Sequence, residues 1–130
     1  MARILIVDDD PVVSLTLSRM LEWAGHVVAR AESARAGLDH IEREPPDAVL
    51  LDMRMPGMGG LEFLRELRAS PTSARLPVGI VTGDYFMDEK VLSELAALGA
   101  AVRYKPVWVD DLSALLSVLL GERPSAAGAS

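Results

Sequence analysis

The chain has 130 residues, half of them hydrophobic and a quarter charged, with a formal net charge of −6 and no cysteine. This size and composition are typical of one folded domain, and the lack of cysteine excludes disulfides and thiolate metal sites. The acidic balance argues against direct nucleic-acid binding, and without a signal peptide or an apolar run of ~20 residues a cytoplasmic domain off the membrane is expected.

Short apolar runs alternate along the chain with longer amphipathic segments. The predicted strands, rich in Val, Ile and Leu, are residues 3–7, 26–31, 48–51, 78–81 and 101–104. Apolar side chains recur at helical spacing after each strand: Val13, Leu17, Met20, Leu21 and Ala24; Ala34, Leu38 and Ile41; Leu61, Leu64 and Leu67; Val91, Leu95 and Leu98; Leu112, Leu115, Leu116, Leu119 and Leu120. This periodicity predicts five helices.

The residues between these segments fit the predicted boundaries. Asp10 followed by Pro11 is typical of a capping residue and a first helical position, and Gly25 and Gly99 stand where helices are expected to end. Gly79 is locally unfavourable inside a strand, and the sequence gives no reason for it.

Five β/α repeats predict an α/β fold, a doubly wound five-stranded parallel sheet with helices on both faces. We expect one domain over residues 1–121. The small polar and apolar residues 122–130 are expected to form a flexible tail or the stub of a linker. Right-handed crossovers place the carboxyl ends of all five strands at one edge, where ligands of such sheets bind.

Polar residues follow four of the predicted strands. Asp8-Asp9-Asp10 follow the first, Asp52 the third, Thr82 the fourth and Lys105 the fifth. Each pattern alone is weak, since an acidic run is often a solvated loop. Asp10 is assigned mainly to capping the helix that begins at Pro11. Their joint placement at adjacent strand ends is more specific, and it brings carboxylates, a hydroxyl and an ammonium to one site.

Carboxylates that converge without a counter-charge repel one another, and a divalent cation removes that cost. Mg²⁺ prefers oxygen ligands and commonly binds one or two carboxylates together with a phosphate. Lys105 and Thr82 could contact two further phosphoryl oxygens, and an aspartate oxygen is an accepted phosphoryl nucleophile. Asp52, after a central strand, is the best candidate for that nucleophile.

From Arg3 to about Gly121 the chain resembles a response-regulator receiver domain of two-component signalling. The acidic pair of that family is matched by Asp8 and Asp9, its switch hydroxyl and small residue by Thr82-Gly83, and its Lys-Pro by Lys105-Pro106. Its phosphoacceptor segment is matched by residues 52–60, with Asp, Pro and Gly at the expected spacings. The motifs together are highly specific.

This resemblance implies a flavodoxin-like sheet of strand order 2-1-3-4-5. It implies that Asp52 accepts a phosphoryl group, with Mg²⁺ as the cofactor, and that Thr82 and Lys105 assist. Asp9, Asp52 and the backbone carbonyl of Arg54 would bind the metal, Asp8 at least through water. The Lys105–Pro106 bond would be cis. The chain would act as a switch and not turn over a separate substrate.

One departure from the family pattern bears on switching. Many relatives have an aromatic residue three positions before the lysine, where this chain has Val102. Tyr104 should point to the opposite face from Lys105, so a switching role for it is not expected. Arg54 and Asp84 flank the site with opposite charges, and they could pair across its mouth and restrict water. The plainer interpretation is two exposed charges of little consequence.

The implied partners are a sensor histidine kinase or a histidine phosphotransfer protein, and an unidentified downstream protein. Exposed apolar residues from Val107 to Val109 could serve a partner or a homodimer through the fourth helix, fifth strand and fifth helix. Open alternatives are a pseudo-receiver that acts without phosphorylation and a receiver fragment of a longer DNA-binding regulator. A haloacid-dehalogenase-type hydrolase is disfavoured, because the Asp-x-Asp-x-Thr pattern is absent after the first strand.

Overall fold

A computed structural model describes residues 1–121, and the segment 122–130, predicted to be a tail or linker stub, lies outside the described residues. The elements in chain order are β1 Arg3–Val7, α1 Pro11–Trp23, β2 Val27–Ala31, α2 Ala34–Arg43, β3 Ala48–Leu51, α3 Gly60–Ala69, β4 Val78–Thr82, α4 Glu89–Ala97, β5 Ala100–Tyr104 and α5 Val109–Leu119. No helix among the described residues is long and apolar enough to cross a membrane.

The five strands form one parallel sheet of order β2-β1-β3-β4-β5. The predicted fold class and strand order are therefore confirmed. β1, β3 and β4 lie inside the sheet with helices on both faces, which is why their residues form continuous apolar runs and do not alternate with polar ones. Their carboxyl ends lie side by side at one edge.

Two apolar clusters fill the space between the sheet and its helices. The cluster beneath α2, α3 and α4 includes Leu5, Val49, Phe63 and Ile80, all at 0 % exposure. The cluster beneath α1 and α5 includes Ile4, Leu21, Leu50 and Leu115, each at 1 % exposure or less. Alternate residues of a strand thus pack on opposite faces, and the sheet is buried on both sides.

Strand β2 begins one residue later than predicted, at Val27 instead of His26. The backbone N–H of His26 donates to the carbonyl of Leu21 at 3.0 Å, and that of Gly25 donates to Glu22 at 2.9 Å. Gly25 has a φ of 97°. This is the double hydrogen bond of a Schellman motif, which ends α1 and withdraws His26 from the sheet.

Gly79 now has a packing explanation that the sequence did not offer. A Cβ at this position would lie 3.0 Å from Leu119 Cδ1, 3.1 Å from Leu115 Cδ2 and 3.2 Å from Leu50 Cδ2. Helix α5 therefore approaches β4 closely at the residue that has no side chain. The glycine lets the last helix pack directly on a central strand.

Candidate phosphoacceptor site

The carboxyl edge of the sheet brings the predicted acidic residues together. Carboxylate oxygens of Asp8, Asp9 and Asp52 all lie within 4.8 Å of one another. Asp8 follows β1 directly and Asp52 follows β3, and these strands are hydrogen-bonded neighbours. The backbone N–H of Asp52 continues that pairing by donating to the carbonyl of Val7 at 3.1 Å. The strand register therefore fixes the spacing of the two carboxylates.

Lys105 extends into the same cluster from the end of β5. Its Nζ lies 3.6 Å from Asp8 Oδ2 and 3.9 Å from Asp52 Oδ2. The Asp8 side chain is only 3 % exposed, that of Asp52 12 % and that of Lys105 24 %. The site thus holds three carboxylates and one ammonium, which leaves it with an excess of negative charge when all are ionised. The bond from Lys105 to Pro106 is cis, as the resemblance implied.

The electrostatics of Asp8 reflect that imbalance. Burial is the main cause that raises the pKa of the Asp8 carboxyl above its ordinary value, and the nearby Asp52 and Asp9 add to it. The backbone N–H of Asp10, which donates to Asp8 Oδ1 at 2.9 Å, and the charge of Lys105 partly oppose the shift. The pocket therefore holds Asp8 in a position where its charged form is costly unless a cation binds.

The donor set fits Mg²⁺. Three carboxylates with oxygens within 4.8 Å of one another can reach a common octahedral ion with Mg–O distances of roughly 2.1 Å. No sulfur or imidazole ligand is present in this cluster, a composition that favours magnesium, calcium or manganese over zinc or copper. Ligation by the carbonyl of Arg54 stays a prediction of the resemblance.

Thr82 lies at the end of β4, at the wall of the same pocket. The strand extends one residue further than predicted and includes Thr82, which pairs in register with Tyr104 of β5. Its side chain is buried, and its Oγ1 accepts a hydrogen bond from the backbone N–H of Asp84 at 3.1 Å. The second lone pair of Oγ1 and the hydroxyl proton are left for other partners in the pocket that Thr82 lines together with Asp52.

The mouth of the pocket carries an ion pair. Arg54 Nε donates to Asp84 Oδ2 at 3.1 Å, so the predicted pairing of these two side chains is present. The Phe86 backbone N–H donates to Asp84 Oδ1 at 3.1 Å, and these two contacts, the backbone one first, lower the pKa of Asp84. Arg54 itself is 78 % exposed. Whether the pair restricts water is a separate prediction.

Asp10 and Trp108 have other places in the fold. Asp10 caps α1, as predicted, with Oδ1 accepting from the N–H of Val12 at 2.9 Å and of Val13 at 3.3 Å. Trp108 lies beside α1, in an apolar groove that it forms with Val12 and other residues of that helix. Val107 packs against the cluster beneath α1 and α5, so part of this apolar segment belongs to the interior. A partner or homodimer contact through α4, β5 and α5 stays a prediction.

Sequence reasoning overlooked two aromatic residues at the site. Phe86, 92 % exposed, helps to line the pocket beside Thr82 and Asp84. The hydroxyl of Tyr85 donates to the backbone carbonyl of Lys105. Their only signal in the sequence is the adjacent Tyr-Phe pair shortly after Thr82.

Parallel strands in the order 2-1-3-4-5, with this acidic cluster, hydroxyl and lysine at their carboxyl edge, define a receiver-type signalling domain. A family model described as the response regulator receiver domain matches residues 4–116, so the chain belongs to the response-regulator receiver family. Domains of this family serve two-component signalling and are not enzymes that turn over a separate substrate. The hydrolase alternative is left without support.

Relatives of known sequence and structure agree with this assignment. Protein PilH of Pseudomonas aeruginosa is 45 % identical over 82 residues, which are 63 % of this chain and 68 % of PilH. Response regulator MprA of Mycolicibacterium vanbaalenii is 39 % identical over 118 residues, 91 % of this chain and 50 % of MprA. The chain thus spans about half the length of this relative.

Among solved structures, the chemotaxis protein CheY4 of Vibrio cholerae superposes with a TM-score of 0.84 at 28 % identity, covering 92 % of this chain and 99 % of CheY4. A CheY-like receiver domain protein from Methanospirillum hungatei has the same TM-score at 31 % identity, covering 93 % of this chain and 94 % of its own. The whole described fold is therefore that of single receiver domains.

Proposed function

We propose that Asp52 accepts a phosphoryl group from a phosphohistidine side chain, and that this modification switches the domain between two signalling states. The donor is a sensor histidine kinase or a histidine phosphotransfer protein, and the receiver domain comprises residues 1–121. The observation that carries the proposal is the position of Lys105 Nζ, 3.9 Å from Asp52 and 3.6 Å from Asp8, beside carboxylates arranged for a divalent ion.

In the proposed reaction a carboxylate oxygen of Asp52 attacks phosphorus while the bond from phosphorus to the donor imidazole breaks. Mg²⁺ would be held by Asp9, Asp52 and the carbonyl of Arg54, with Asp8 acting at least through water, and it would supply positive charge to the phosphoryl oxygens. The ammonium of Lys105, 3.9 Å from Asp52 Oδ2, neutralises another oxygen. The hydroxyl of Thr82 donates to a third, so that each oxygen of the transferred group has a cationic or hydrogen-bonding neighbour.

Phosphorylation at Asp52 changes the charge of a site already crowded with carboxylates. The new group would compete with Asp8 for Lys105 and would recruit Thr82, and both residues connect to neighbouring loops. Such a local change can alter a protein surface recognised by a downstream partner. A second candidate, favoured by the twofold length of the MprA relative, is that this receiver controls a further domain of a longer regulator.

The test is intact-protein mass spectrometry after incubation with acetyl phosphate and Mg²⁺. We expect a phosphate-sized mass gain that requires Mg²⁺, vanishes in Asp52→Ala and persists in Asp39→Ala, which removes an exposed carboxylate of α2. No gain, together with no saturable binding of beryllofluoride and Mg²⁺, would contradict the proposal and favour an interaction module that works without phosphorylation.

A further inference from the structure

The fifth strand has no aromatic residue at position 102, yet it presents one two residues later. Val102 pairs with Ile80 and packs against the cluster beneath α2, α3 and α4. Tyr104 is the register partner of Thr82. Register partners of a parallel pair lie on the same face of the sheet, so Tyr104 lies on the face of Thr82 and Val102. It is 40 % exposed, at the rim of that face.

Tyr85, in the loop between β4 and α4, binds the end of β5 by two contacts. Its ring stacks on that of Tyr104, with centroids 5.5 Å apart and planes inclined by 23°. Its hydroxyl donates to the backbone carbonyl of Lys105. Tyr85 is 57 % exposed, so burial contributes little to the position of its ring. The stacking and the hydrogen bond hold the ring in place. The loop is therefore attached to Lys105, whose ammonium lies near Asp52.

The same loop is attached to the pocket at its other end. The Asp84 backbone N–H donates to Thr82 Oγ1 at 3.1 Å, and the Asp84 carboxylate binds Arg54. Only Gly83 and Asp84 separate Thr82 from Tyr85. A Cβ on Gly83 would meet no atom within 4 Å, so the turn has open space around it. A movement of Thr82 would therefore need to pass through only two residues to reach the stacked ring.

We propose that Tyr85 and Tyr104 together report the state of Asp52 at the protein surface, in place of an aromatic residue at position 102. When Thr82 moves to donate to a group on Asp52, its Oγ1 shifts relative to the Asp84 backbone N–H from which it accepts a hydrogen bond. The loop then shifts, and Tyr85 changes its stacking on Tyr104 beside α4. Both tyrosines act as positioning residues. This inference rests on the proposed function and assigns Tyr104 the switching role that the sequence did not predict.

The chain has two tyrosines, which makes the test direct. Protein carrying ¹³C-labelled tyrosine is titrated with beryllofluoride and Mg²⁺, and ring signals assigned with Tyr85→Phe and Tyr104→Phe are followed by NMR. We expect both ring signals to move at saturation, which ¹⁹F spectra of bound beryllofluoride establish. In Thr82→Ala at saturation most of that movement should be lost, and Thr82→Ser should restore it.

The Thr82→Ala variant also measures the direct effect of the added charge, because beryllofluoride then binds without the hydroxyl link. Equal movement in this variant and in the parent, or no movement in the parent despite saturable binding, would overturn the inference and leave the proposed function standing. No binding by the parent would overturn both.

A second variant keeps the inference testable if Thr82→Ala does not reach saturation. In Tyr104→Leu the exposed ring is removed while Thr82 and the loop are retained. The Tyr85 signal should move in the free protein because the stacked ring is gone, and beryllofluoride should then change it far less than in the parent. An undiminished response to beryllofluoride in Tyr104→Leu would overturn the role of the pair.

Discussion

The middle of the sheet and its carboxyl edge are built from the same strands and have opposite chemistry. Along the middle, Leu5, Val49 and Ile80 are fully buried among apolar neighbours. Three residues after Leu5 and Val49, Asp8 and Asp52 crowd their carboxylates around a single ammonium. Apolar burial in the first region stabilises the fold. Repulsion between like charges in the second region offsets part of that stabilisation. The difference indicates that stability and function are located in separate parts of each strand.

The largest change in the free energy of unfolding is expected from a substitution in the apolar interior. Phe63 of α3 has 0 % exposure and packs against the face of the sheet beneath α2, α3 and α4. We expect Phe63→Ala to lower the free energy of unfolding by about 3–5 kcal/mol, because it removes a buried ring and leaves a cavity. Urea unfolding followed by circular dichroism measures this.

The matched control on the same helix is Glu66→Ala, an exposed position, where a change within about ±0.5 kcal/mol is expected. A loss of less than about 1 kcal/mol in the free energy of unfolding for Phe63→Ala would mean that the apolar interior does not dominate stability. The proposed separation of stability in the interior from function at the edge would then be contradicted.

A change of opposite sign is expected at the edge. In metal-free protein, Asp8→Asn should raise the free energy of unfolding at pH 7 by on the order of 1 kcal/mol, because it removes a buried charge that repels Asp52. The same variant should be labelled more slowly by acetyl phosphate and Mg²⁺. Asp10→Asn is the control, since asparagine also caps helices and the position is exposed.

The pH dependence follows from the direction of the Asp8 shift. The folded-state pKa lies above the unfolded value of 3.8, so between the two the folded protein binds more protons than the unfolded chain. Stability of the parent therefore falls as pH rises through that window, and Asp8→Asn lacks this fall. The advantage of Asp8→Asn should shrink at pH 3, and an advantage independent of pH would contradict the electrostatic cause.

The sequence predicted the fold and the meeting of the acidic residues and the lysine at one edge, because both depend on local patterns. Apolar runs, helical spacing and strand-end residues place Asp8, Asp52 and Lys105 at one edge without any knowledge of packing. The role of Gly79 was not predictable, because it depends on how closely α5 approaches β4. Contacts between distant loops, such as the stacking of Tyr85 on Tyr104, leave no periodic signal in the sequence.

The mouth of the pocket should respond more weakly than either region. The pair of Arg54 and Asp84 lies over the site, yet Arg54 is largely exposed. We expect Asp84→Ala to change the rate of autodephosphorylation, followed as decay of the phosphorylated mass, by about two- to fivefold, toward faster decay as water gains access. Exposed charge pairs are screened, which limits the effect.

Asp84→Asn separates the two functions of this carboxylate. It retains an oxygen for the Phe86 N–H and loses the charge that holds Arg54. If the ion pair restricts water, Asp84→Asn should accelerate decay as much as Asp84→Ala, and raising the salt concentration should accelerate the parent but neither variant. A normal rate in Asp84→Asn with a fast rate in Asp84→Ala would instead assign the effect to the loop turn. Normal rates in both variants would show that the pair of Arg54 and Asp84 does not slow the loss of the phosphoryl group.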